Sequence, residues 1–336
     1  MTCRYSRHKF STTPVSERVG CSTRSVPLNS CEQMNVNGIF FDGAGRFRSG
    51  WRVGIFILAF AFALLASGAA GLIFLDRVVA AGPGTPLFFI VNGLTILIAA
   101  LLAGWLCGRL LERLPFRALG AWVTKGWLTH LSLGILAGAA TLCIAVLIAF
   151  VFGGLRFATN PVDGKTLAIA LTNSFIVFAA GAAWEEALFR GYILQTLDRS
   201  HLAWLGIGVT SLFFGAIHLG NPNPTIISTV NTMLAGAWFG IAYLKTRDLW
   251  FVWGMHLMWN WMQGAFFGIE VSGLTDLVSS PLLKEIDSGP LWLTGETYGI
   301  EGGIVTTIAL IASTVVIWYA PFLRPGEKVD GALPPR

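Results

Sequence analysis

Runs of about twenty mostly apolar residues recur along the whole chain, and that is the length a helix needs to cross a bilayer core. Eight such runs can be marked, at 53–75, 87–107, 127–154, 166–190, 202–219, 225–244, 249–268 and 303–323. A backbone inside hydrocarbon must satisfy its own hydrogen bonds, which leaves helix bundles and closed barrels. A barrel would show alternating segments of about ten residues, and the sequence has none. The reading is therefore all-α: a polytopic membrane helix bundle of about eight transmembrane helices. Composition agrees, because 12% of the 336 residues are charged against about 25% in soluble proteins.

A net charge of +5 would raise the question of nucleic acid in a soluble chain. In a membrane chain Lys and Arg report orientation instead, so lipid is the expected partner and nucleic acid is not. Loops 35–52, 108–126, 191–201, 245–248 and the tail from 324 hold 13 Lys or Arg, whereas 76–86, 155–165, 220–224 and 269–302 hold four. Both termini are expected in the cytoplasm, with the acidic 269–302 loop outside.

Residues 1–33 are rich in Ser, Thr and Arg and lack an apolar period. Three readings stay open: a disordered extension, a transit-like segment, or sequence upstream of a true start at Met34, the last being favoured. Residues 34–336 are read as a single membrane domain. Gly134/Gly138 and Gly236/Gly240 have the spacing that lets helices approach closely. No CxxC pair supports a zinc ribbon or a redox motif. The absence of an internal repeat weighs against an inverted-repeat transporter.

The chemistry is concentrated in AAWEEALFRGYIL, residues 182–194. A charge at a helix centre costs about 2.5–3.5 kcal/mol on insertion scales, so such residues face protein or water. Glu186 and Arg190 are four apart and share a helix face. Glu185 lies about 100° round the helix and has no intrahelical partner. A solvated helix end would explain the trio equally well by itself. Span 5 adds Phe214 and His218, and span 7 adds His256 and Asn260, again four apart. At about 1.5 Å per residue, Glu185, His218 and His256 lie roughly 22, 27 and 15 Å from the cytoplasmic helix ends, which permits one shared site.

A carboxylate beside an imidazole can activate water, and a second imidazole with a carboxamide can stabilise an oxyanion. Glu185, His218 and His256 also make a zinc ligand set of a known kind, although HExxH is absent. His130 and His201 read as loop-end residues. Asn92, Asn173 and Asn231 can bridge helices or line a cavity. Trp250, Trp253, Trp259 and Trp261 read mainly as interface and packing residues. A proton-coupled transporter and a non-catalytic membrane scaffold or immunity protein are the rival readings.

EEALFRG, FGAIH and HLMWN together resemble the Glu-Glu-x-x-x-Arg, Phe-x-x-x-His and His-x-x-x-Asn motifs of the CAAX protease and bacteriocin-processing family of intramembrane endopeptidases. The resemblance covers about 166–275. It implies that Glu185 is the general base on water, helped by His218, and that His256 and Asn260 polarise the scissile carbonyl. It further implies that Glu186 and Arg190 orient the site and that Phe214 packs against it. Family members have been described both as glutamate-type proteases and as metalloproteases, so a divalent metal such as zinc stays open. The implied substrate is a peptide or membrane protein, prenylated in the best-described cases, and the implied location is a bacterial plasma membrane.

Overall fold

A computed structural model describes residues 37–325, apart from 44, 75, 77–81, 83, 124 and 276. The reading of residues 1–33 lies outside the described residues. Six helices among the described residues are long and apolar enough to cross a membrane. They are α1 (Ser49–Ile73), α2 (Pro86–Leu111), α3 (Trp127–Val151), α4 (Gly164–Arg199), α5 (Ala203–Gly220) and α6 (Ile226–Thr246). Two shorter helices complete the bundle: α7 (Leu249–Trp261), prolonged by a π-turn over Met262–Phe266, and α8 (Ile304–Tyr319). Each of the eight apolar runs thus overlaps one of these helices.

Local sequence sets the helix starts. Thr85 caps α2 by accepting from Phe88 N at 3.2 Å, with Pro86 just inside the helix, where its missing N–H costs nothing. Thr225 and Ser228 form a reciprocal capping box at the start of α6. Asp248 accepts from Trp250 N at 2.6 Å and Phe251 N at 3.3 Å and so starts α7. The same carboxylate meets His130 Nδ1 at 2.7 Å, so His130 ties α3 to α7.

Span 4 runs further than its apolar pattern suggests. After Leu188 it continues through a π-turn, Phe189–Leu194, and ends at Arg199. The polar residues that made 191–201 look like a loop face protein. Glu112, at the end of α2, accepts from Arg52 Nη1 at 2.6 Å and from Arg199 Nε and Nη2, both at 2.9 Å. These three nearly buried side chains join α1, α2 and α4. Burial alone would raise the pKa of Glu112, but Arg199 and Arg52 outweigh it and hold the carboxyl below the usual carboxylate range.

The loops on the opposite side contain a two-stranded antiparallel ribbon, β1 (Leu155–Thr159) and β2 (Leu283–Asp287). Helical periodicity gave no sign of it. Phe157 pairs with Glu285, and burial, Glu270 and Asp287 push the Glu285 carboxyl up to about 8.

Two close approaches fix the helices that carry the candidate site. A Cβ on Gly134 or Gly138 would collide with the backbone oxygen of Phe251 or Met255, and Gly254 faces Leu131 O in return. α3 therefore rests directly on the α7 backbone one residue before His256. A Cβ on Gly236 would lie 2.8 Å from Ser211 Cα, which brings α6 equally close to α5. Of the small residues whose spacing suggested helix contacts, Gly134, Gly138 and Gly236 thus meet a neighbouring backbone, while Gly240 packs against the Ile207 side chain.

Candidate active site

A cavity of about 390 Å³ within the bundle is lined by Glu185, Phe214, His218, His256 and Asn260, among others. Residues from three separate apolar runs therefore meet in one space. Asn92 and Asn231 line it as well, while Asn173 does not. Trp259 is the one member of the tryptophan cluster on the cavity wall. Trp253 and Trp261 instead donate to Ala179 O and Leu171 O at 2.9 and 3.0 Å.

Glu186 and Arg190 form the expected pair, with Arg190 Nη1 donating to Glu186 Oε1 at 3.0 Å. Their side chains are 1% and 0% exposed. Arg190 Nη2 also donates to Gly236 O at 2.9 Å, linking α4 to α6. The rings of Phe214, Phe239 and Phe189 lie 4.9, 5.2 and 5.7 Å from the guanidinium carbon. Aromatic faces attract a desolvated cation, so the buried guanidinium is held by a carboxylate, a carbonyl and an aromatic cage.

Glu186 has a second partner that helical spacing did not disclose. His256 Nδ1 lies 2.9 Å from the same Oε1. A carboxylate on one ring nitrogen fixes the tautomer and turns the other nitrogen outward. That other nitrogen, Nε2, lies 3.8 Å from Glu185 Oε2. Glu185 Oε2 is buried and has no hydrogen-bond partner among the described residues. The two adjacent glutamates thus flank opposite edges of one imidazole. Phe239 stacks on that ring at 4.7 Å with a 23° tilt.

His218 sits where α5 tightens into a 3₁₀ turn. Its Nδ1 is 2.7 Å from Phe214 O. A carbonyl only accepts, so Nδ1 carries the proton and neutral His218 has its lone pair on Nε2. The Phe214 ring lies 4.9 Å from the His218 ring and 6.0 Å from the His256 ring. Phe214 therefore packs between both histidines and Arg190.

The outer wall comes from the chain after α7, where MQGAFFGIEVSG folds back over the cavity. Val271, Ser272, Leu274 and Leu277 line it. Glu301 Oε2 accepts from Ser272 N at 2.6 Å and Ser272 Oγ at 2.7 Å, and Oε1 accepts from Trp259 Nε1 at 3.3 Å. Asn221 Nδ2 donates to Ser272 O at 3.0 Å. Sequence reasoning counted Glu301 only as an outer-loop charge, because no local spacing ties it to the helices. Among the described residues no three His, Cys, Asp or Glu side chains stand together as a metal-ligand group. Glu185, His218 and His256 are thus not gathered as such a ligand set.

Searches of curated proteins and of solved structures return no match. The family model described as Rce1-like, type II CAAX prenyl endopeptidase Rce1-like, matches residues 166–262. That stretch contains Glu185, Glu186, Arg190, Phe214, His218, His256 and Asn260. Over residues 166–262 the chain is therefore similar to the CAAX protease family, in its Rce1-like, type II CAAX prenyl endopeptidase form.

Proposed function

We propose that the cavity is the active centre of an intramembrane endopeptidase in which Glu185 activates the attacking water. The observation that carries this reading is the meeting of Glu185, His218, His256 and Asn260 on one cavity wall, within a segment that matches a protease family. Glu185 takes a proton from water, with the His218 lone pair as a second acceptor. The resulting hydroxide adds to the scissile carbonyl. His256 Nε2, 3.8 Å from Glu185, accepts the proton. The doubly protonated ring and Asn260 then hydrogen-bond the oxyanion. The proton finally passes to the leaving amine, which balances the hydrolysis. Glu186 and Arg190 hold the His256 ring in place.

The substrate is a peptide or a membrane protein. Phe89, Ile96, Val177 and Phe178 form an apolar wall of the cavity suited to a hydrophobic or lipidated part of the substrate beside the scissile bond. Reconstitution in lipid with a panel of membrane-anchored peptides, prenylated and unprenylated, tests the reading. Cleavage by the parent chain and its loss in His218→Ala and Asn260→Ala variants that still fold is the expected result. Proton-gradient-driven flux without cleavage would favour the transporter reading instead.

A further inference from the structure

A second feature lies away from the candidate active site, at the start of α1. An open depression of about 990 Å³ is lined by Arg46, Arg48, Arg52 and Arg199, with Asp42 and Glu112 as the acidic members. Four guanidinium groups thus face two carboxylates, and the excess is positive. Arg46 is paired with Asp42 at 3.1 Å. Arg48 uses Nε on Phe41 O at 3.3 Å, and its Nη groups have no acceptor among the described residues. Arg52 is 4% exposed. It gives Nη1 to Glu112 and Nη2 to Ser200, yet its buried Nε has no partner among the described residues.

The backbone adds to this charge. The N-cap residue of α1, Arg48, provides no side-chain cap, so first-turn N–H groups are left for an outside acceptor. The positive end of a long helix dipole favours an anion at the same place. Trp51, also on the rim, is 45% exposed and donates Nε1 to Ile39 O. Exposed tryptophan beside a membrane helix end marks headgroup depth. Arginine clusters next to a membrane helix attract anionic headgroups.

We infer that this depression binds a phosphate-bearing anion, and that the membrane supplies it as the headgroup of an anionic phospholipid. The phosphodiester would meet Arg48, Arg46 and the first-turn amides of α1, while the Arg52–Glu112–Arg199 cluster forms the floor.

The test is native mass spectrometry of the full chain, delipidated in detergent and titrated with phosphatidylglycerol or phosphatidylcholine. The parent should retain one phosphatidylglycerol at least tenfold more tightly than phosphatidylcholine. The Arg46→Ala/Arg48→Ala double variant alters two exposed side chains, so the bundle should stay folded, and it should lose that preference. Equal retention of the two lipids, or a preference unchanged in the double variant, would overturn the proposal. Displacement of phosphatidylglycerol by millimolar inorganic phosphate would overturn the lipid as the source of the anion.

Discussion

Glu186 and His256 meet through one carboxylate oxygen, Oε1, which lies 2.9 Å from His256 Nδ1 and also accepts from Arg190 at 3.0 Å. A single buried atom therefore links α4 to α7 and, through Arg190, to the α6 backbone at Gly236. Glu186→Gln should cost about 3–5 kcal/mol, because it leaves a buried guanidinium uncompensated. Equilibrium unfolding in mixed micelles measures the loss. In variant protein kept folded at low temperature, the ¹⁵N shifts of His256 should show the ring protons redistributed. Unchanged stability and unchanged shifts would contradict the shared-oxygen arrangement.

Gly138 makes a different demand. Its missing Cβ lets α3 lie on the α7 backbone at Met255, so Gly138→Val should push α7 and with it His256 away from Glu186. Overpacking of this kind costs about 1–3 kcal/mol and sometimes more. A lowered melting temperature, with loss of any peptide cleavage, is expected. The outward-facing Leu136→Val, on the 64% exposed side of α3, should leave both unchanged.

Glu112 predicts a pH dependence. Its carboxyl is held below the usual carboxylate range in the folded chain, where Arg199 and Arg52 outweigh burial. The folded state therefore gains from its ionised form above the ordinary glutamate value of about 4.3, and that gain is lost as pH falls through the lower folded value. Glu112→Gln should melt well below the parent at pH 7, and the gap should close as the pH drops below about 4. A gap that stays constant over that range would contradict the buried ion cluster.

Glu285 predicts the opposite slope. Burial, Glu270 and Asp287 push its carboxyl up to about 8, so between about 4.3 and 8 the folded chain holds a proton that the unfolded chain has released. Stability from this group therefore falls as pH rises across that window. Glu285→Gln should remove that slope and protect the β1–β2 ribbon from hydrogen exchange at pH 8. Equal exchange in parent and variant at pH 8 would count against it.

The bundle was legible because twenty-residue apolar runs leave the backbone little choice in lipid. The site was legible where helical spacing decides contact: Glu186 with Arg190, and His256 on the same run as Asn260. Two kinds of information were missing. The end of α4 was hidden because Arg199 and Gln195 are polar yet face protein, where Glu112 partners Arg199. Contacts between distant segments were hidden as well, since no periodicity joins Glu301 to Ser272 or pairs Leu155–Thr159 with Leu283–Asp287. The His256–Glu186 contact belongs to that second kind, and it divides the two glutamates more sharply than their spacing does.

Glu185 carries the central claim, and the most direct measurement is a comparison of membrane-protein termini in cells expressing the parent chain or Glu185→Gln. The substitution keeps the side-chain shape and removes the base, and the Glu186–Arg190–His256 contacts do not depend on it. The account predicts that one or more new termini, present with the parent, vanish in the variant while its abundance matches the parent's and its unfolding free energy stays within about 1 kcal/mol of it. Termini that persist at parental level in a folded Glu185→Gln chain would contradict it.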